Sequence, residues 1–253
     1  MSDNNKKSGK MKKYILKAIG IGFIIFVVFL SYIIFTIYAD KNVPTFLKPI
    51  QDDVTLILVD LGLKETEEII PVWKPVIYLY SDEDIEVDIQ ISGTELTTTY
   101  PLYEDKWSVS VKEKNNIIDK NGREYNYLYW EGLSEDFLET SKGFIVSKDN
   151  YIGFLEDKLA YVGLSDKEAC DFISYWLPYM NEFEYCLVSF QMENYEEQVK
   201  LNYSVTPDNE LRVFVAFKGL DEPIDVEAQD LSYYSDFERT GFTVVEWGGT
   251  FLD

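Results

Sequence analysis

Between Ala18 and Ala39 the chain runs 22 residues without a charge, rich in Ile, Phe and Val, with Lys17 at one end and Asp40 at the other. At about 1.5 Å per residue a helix of this length reaches roughly 33 Å, enough for the roughly 30 Å hydrocarbon core of a bilayer. Lys6, Lys7, Lys10, Lys12, Lys13 and Lys17 precede the run against a single acid, Asp3, and such an excess keeps an N-terminus in the cytoplasm. The run is longer than the apolar part of a cleaved signal peptide, and Ile37-Tyr38-Ala39 puts a bulky side chain where cleavage needs a small one. The expectation is a signal anchor in the cell membrane. It has a basic cytoplasmic tail over residues 1–14, a single-pass transmembrane helix over 15–39 with the lipid bilayer as its partner, a membrane-proximal stalk over 40–74 and an extracytoplasmic domain over 75–253.

The whole chain carries a formal net charge of −22. Its six N-terminal lysines all lie before the apolar run, so the remainder is more acidic still. Counterion release from a polyanion needs basic clusters, and their absence argues against nucleic acid as a partner. All five Trp fall in this acidic part, a composition that buries large area and opposes disorder. There is no histidine. That removes the commonest general base and the usual zinc ligand together.

Within the stalk, Pro49, Asp52 and Asp53 followed by Ile50, Val54, Ile57, Leu58 and Leu61 on one side predict a short amphipathic helix ending near Gly62. From Lys74 the pattern changes to period two. Ile85, Val87, Ile89 and Ile91 alternate with Asp84, Glu86, Asp88 and Gln90, a strand with one buried face. Further strands are expected at 76–80, 96–100, 107–111 and 123–130, with Asn121-Gly122 as a hairpin turn. Apolar spacing over Asn150 to Val162 and the capping box Ser165 to Glu168 place two helices, the second ending near Leu177 before Pro178. Strands then return at 185–192, 198–205, 211–217 and 242–247. The class expected is α+β: a transmembrane helix, then a mostly antiparallel, sandwich-like domain with an inserted helical pair.

Three segments occur together in order: Lys74-Pro-Val-Ile-Tyr-Leu-Tyr80; Asn121-Gly-Arg-Glu-Tyr125 running into Tyr127-Leu-Tyr-Trp-Glu-Gly132; and Arg239-Thr-Gly-Phe242 followed by Val245-Glu-Trp-Gly-Gly249. Over residues 74 to 250 this resembles an uncharacterised family of bacterial secreted or membrane-attached proteins. The resemblance implies one shared domain and no particular chemistry. In that family the first segment usually ends in Pro, where this chain has Ser81.

Glu131 and Glu246 each stand beside an indole and a glycine, as Trp130-Glu-Gly132 and Glu246-Trp-Gly248. Two carboxylates flanking one bond can hydrolyse a glycoside, and aromatic faces stack on sugars, so a glycan hydrolase using this pair is one reading. The competing one is structural, because Arg123 and Arg239, two of only three arginines, precede the same motifs and an arginine suits a carboxylate bidentately. Strand alternation would place Arg123, Tyr125, Tyr127, Tyr129 and Glu131 on one face. The favoured function is a binding or structural module for an envelope protein or a cell-surface polymer such as a glycan. Its candidate contacts are Trp130, Trp247, Tyr127, Tyr129, Arg123 and Arg239. Cys170 and Cys186 are expected to point into one core, either as free thiols or as a disulfide closing a loop of about 17 residues for about 3 kcal/mol. Asp82, Asp84, Glu86 and Asp88 lack the glycine of a calcium loop, and no metal or cofactor is assigned.

Overall fold

A strand buried on both faces reads as a nearly continuous apolar run, whereas one with a wet face alternates. Both kinds occur here, and they sort into two sheets. The computed structural model describes residues 68–112, 116–234 and 237–252. Strands β1 (Ile69–Tyr80), β3 (Glu95–Tyr100), β7 (Leu128–Glu135), β8 (Phe144–Ser147), β9 (Tyr185–Phe190), β11 (Asn209–Leu220) and β12 (Thr243–Leu252) form a seven-stranded sheet in the order β3-β7-β1-β12-β11-β9-β8. Strands β2 (Ile85–Ser92), β4 (Trp107–Lys112), β5 (Asn116–Asp119), β6 (Glu124–Tyr125) and β10 (Lys200–Tyr203) form a five-stranded sheet in the order β10-β2-β4-β5-β6. The alternating segment read from the sequence is β2 of the smaller sheet. The unbroken runs Val213–Phe217 and Val244–Trp247 are β11 and β12 at the centre of the larger one, and this pair is parallel.

Two cores follow from that layering. Val72, Ile77, Leu79, Leu128, Trp130 and Phe214 of the larger sheet meet Val87, Ile89, Trp107, Val109 and Ile117 of the smaller one. On the opposite face of the larger sheet, Val76, Val188, Val213, Val215 and Trp247 meet α1 (Tyr151–Tyr161) and α2 (Asp166–Met180). Helix, large sheet and small sheet thus make three layers. The capping box of α2 is present: Glu168 N donates to Ser165 Oγ and Ser165 N donates to Glu168 Oε2. The helix passes Pro178 and ends at Met180, with Asn181 N donating to Leu177 O. The missing donor at Pro178 is offset by burial of Met180, which is fully enclosed.

The α+β class expected from sequence is corrected. The described chain is mostly β, its helices few, and among the described residues no helix is long and apolar enough to cross a membrane. The transmembrane helix at 15–39, like the amphipathic helix near residue 50, lies outside the described residues. The single-pass anchor, the membrane localisation and the bilayer as partner therefore gain no support, and they are not carried further. The physical reason is that an uncharged run meets the demands of a protein interior as well as those of lipid, so hydropathy by itself does not choose between them. β1 also starts at Ile69, inside the segment read as stalk. Met192–Gln198, the interval between the strands expected at 185–192 and 198–205, is a third helix, α3.

Candidate functional site

Glu246, one of the two carboxylates of the glycan-hydrolase reading, is sealed in the core between the sheets. Its side chain has no exposure and accepts from Trp130 Nε1 at 2.9 Å, Tyr195 Oη at 3.1 Å and Arg212 Nε at 2.8 Å. Arg212 faces Glu246 in the parallel β11–β12 register, is itself 3% exposed, and donates from Nη1 to Val199 O at 2.6 Å. Burial is the largest single influence and opposes its charge, but Glu246, Tyr195, Tyr203 and Glu210 together outweigh it and raise its pKa above the usual arginine value. The guanidinium also lies 4.6 Å from the centroid of the Tyr195 ring. Trp130 is thus a core residue that holds this pair, and Trp247 fills the core under the helices at 1% exposure. Neither indole is free to meet a ligand.

Glu131 points the other way. In β7, Leu128 and Trp130 face the smaller sheet, while Tyr129 and Glu131 face the helical side. The two carboxylates therefore stand on opposite faces of one sheet and cannot flank a single glycosidic bond. The arginines pair elsewhere than the motif order implied. Arg239 clamps Glu168, the capping residue of α2, donating from Nη1 to Oε1 at 3.0 Å and from Nη2 to Oε2 at 2.5 Å. It lies 5.2 Å from the Tyr80 ring, and Tyr80 Oη donates to the same carboxylate. This is a structural clasp of loop, helix and strand.

The single-face ladder from Arg123 to Glu131 is broken. Glu124–Tyr125 belongs to the smaller sheet and Leu128–Glu135 to the larger, so the chain crosses between layers at Asn126 and Tyr127 and the alternation restarts. Tyr127 and Tyr129 end beside Lys74, whose Nζ lies 5.6 and 4.6 Å from their ring centroids and 5.5 Å from that of Tyr175 on α2. Lys74 has φ of 59°, a left-handed backbone that costs energy in a residue with a side chain. The cause is a bulge: β1 has one residue more than β7 between Val72 and Val76. Burial lowers the Lys74 pKa, against the opposing pull of Glu131 and Asp171. Sequence reading missed this lysine because nothing local marks a bulge.

Arg123 stays at the surface, at one end of the sandwich. There Tyr100, Pro101, Leu102, Trp107, Arg123 and Tyr125 line a groove of about 560 Å³. Tyr100 is 54% and Leu102 79% exposed. The Tyr100 and Tyr125 rings meet edge to face at 5.7 Å, linking the edge strands of the two sheets. A hydrogen bond to Tyr100, with its further charge effect, raises the Arg123 pKa. The turn below is held by Asp119, which accepts from Asn121 N at 2.8 Å, Arg123 N at 2.9 Å and Tyr125 Oη at 3.0 Å. Gly122, at φ of 81°, supplies the left-handed step expected of Asn-Gly. Sequence reading names Arg123 as a candidate contact but sets it on a face with Tyr127, Tyr129 and Glu131; it does not bring in Tyr100 and Leu102, which reach it because β3 and β6 are edge strands of different sheets.

Cys170 and Cys186 are both free thiols, and only Cys186 is buried. The buried positions of α2 are Glu168, Ala169, Phe172, Trp176 and Met180, which turns Cys170 outward rather than into the shared core. Tyr151 Oη donates to Cys186 Sγ at 3.2 Å.

Among known proteins, the chain is similar to "Uncharacterized protein in bglA 3'region" of Butyrivibrio fibrisolvens, at 40% identity over 63 residues. That stretch is 23% of this chain and 65% of the relative, so the chain spans less than two thirds of the length of the protein it matches. No family model and no solved structure matches it.

Proposed function

We propose that the domain is a binding module for an uncharged glycan chain, seated in the groove of Tyr100, Leu102, Arg123 and Tyr125. The observation that carries this reading is the exposure of Tyr100 and Leu102 within the roughly 560 Å³ groove beside an arginine. Apolar faces there can stack on a sugar ring, while Arg123, Asn121 and Lys120 offer donors to its hydroxyls. The charge of the ligand follows from the net −22 of the chain, which repels polyanions. Calorimetric titration of the protein with neutral α- and β-linked glucan oligosaccharides tests it. Saturable binding is expected, with Tyr100→Ala and Arg123→Ala each weakening it about tenfold, or about 1.4 kcal/mol. Absence of saturable heat across the whole panel would refute the proposal.

A further inference from the structure

Beyond the end of β9, two glutamine side chains tie together three segments that are remote in the sequence. Gln229 accepts from Phe190 N at 2.8 Å and donates from Nε2 to Phe190 O at 2.9 Å, taking the place that a neighbouring strand would hold. Gln191, 3% exposed, does the same for Glu139: its Oε1 accepts from Glu139 N at 2.7 Å and its Nε2 donates to Glu139 O at 2.8 Å. Both amides are engaged in holding backbone. The three segments, 139–142, 190–194 and 229–234, enclose a cavity of about 220 Å³ that the groove does not share. Phe190, Met192 and Leu231 are the buried part of its lining. Tyr233 and Tyr234 complete its apolar surface, their ring centroids 5.2 Å apart and their planes at 89°. Tyr233 is 80% exposed, so no core requires its ring.

The charge of this cavity is one-sided. Glu139, Glu193 and Asp230 line it, and among the described residues none of the three is in an ion pair. The one basic residue of the lining, Lys142, is engaged by Glu227 at 2.8 Å. The Ser141 hydroxyl and then its amide hold the Glu139 carboxyl below the usual carboxylate range, and the Ser232 amide and hydroxyl do so for Asp230. Both are therefore charged at neutral pH. Burial, and after it the charges of Glu193 and Glu196, push the Tyr234 hydroxyl up to about 12. Yet among the described residues no three carboxylates converge closely enough to hold a metal ion. Negative charge spread around two aromatic rings suits a cation that is itself diffuse, with methyl or methylene groups against the rings and carboxylates at a distance.

We propose that this cavity binds an alkylammonium group, with Tyr233 and Tyr234 packing on its carbon atoms and Glu139, Glu193 and Asp230 answering its charge. The group comes either from a small methylated ammonium ion or from a lysine side chain, and the chemistry of recognition is the same for both. The proposal uses no residue of the groove and does not rest on the glycan reading.

The test is saturation-transfer NMR with the full chain and three probes. They are choline, N-acetyl-lysine methylamide, and 3,3-dimethyl-1-butanol, the neutral isostere of choline. Saturable binding is expected for at least one cation, about tenfold tighter than for the neutral alcohol. Preference for choline assigns a small methylated ion; preference for the lysine derivative assigns a lysine side chain. Tyr233→Ala, at an exposed position, is expected to weaken the cation about tenfold, and Tyr233→Phe to keep it, because the ring face remains. Glu193→Gln is expected to weaken it about threefold, and the groove variant Tyr100→Ala to leave it unchanged. Equal affinity for the alcohol overturns the proposal, as does the absence of saturable binding for both cations. Affinity unchanged in both Tyr233→Ala and Glu193→Gln overturns the location, and affinity lost in Tyr100→Ala does the same by moving the ligand to the groove. None of these readouts needs a glycan, so the two readings fail separately.

Discussion

Arg212 and Glu246 show at residue scale how much depends on a partner that sequence order does not reveal. A buried ion pair is costly to desolvate and costlier to break, because removing one member strands the other. Glu246→Gln is therefore expected to destabilise the domain by about 3–5 kcal/mol, read from denaturant unfolding, whereas Arg212→Met with Glu246→Leu and Tyr195→Phe, which also removes one of the donors that Glu246 satisfies, should recover part of that loss. If that combined variant proved less stable than Glu246→Gln, the stranded arginine would not be the source of the effect. Asp119 makes a prediction of opposite visibility. The Arg123 amide, and after it the Asn121 amide and Tyr125 hydroxyl, hold its carboxyl below the usual range against some desolvation. Because the folded value is the lower one, its contribution is complete above the ordinary carboxylate pKa near ~3.9 and disappears as pH falls through the depressed value. An NMR titration of Asp119 in the unmodified chain should show this depressed midpoint, and Tyr125→Phe should move it upward.

At the scale of elements, the β1 bulge sets what each face carries. Val72 and Ile77 are five residues apart yet lie in the same core, a parity that regular alternation forbids and that one additional residue restores. Deleting that residue would leave them four apart, the spacing at which a regular strand keeps both on one face, and would remove the bulge without inverting either half. β12 is constrained by its neighbours instead. A Cβ at Gly249 would come within 2.5 Å of Val215 O and 2.8 Å of the Trp176 ring, both held by the sheet and the helix core. Gly249→Ala should therefore cost about 1–3 kcal/mol in a thermal or denaturant melt. A neutral effect there would mean that helix and sheet can separate more freely than their packing indicates.

At the scale of the molecule, three layers place one sheet between two cores. Glu67–Asp253 forms a compact unit by itself. Expressed without residues 1–66, it is expected to melt cooperatively and to keep the circular dichroism of a mostly β protein; a non-cooperative melt would show that its cores are incomplete. The groove lies where β3 of the larger sheet and β6 of the smaller one approach, so its contacts come from segments that are remote in the sequence.

The period of two in Ile85–Ile91, the capping box at Ser165, the Asn121-Gly122 turn and the acidic charge could be read directly from the chain, because each depends on side chains within a few residues of one another. Opposite faces for Glu131 and Glu246, the pairing of Arg212 rather than Arg123 with a core carboxylate, the outward turn of Cys170 and the meeting of Lys74 with three tyrosines could not. Each of these is settled by sheet order, a bulge, or the rotation of a helix against a core. Those are long-range packing solutions, and local spacing leaves them open.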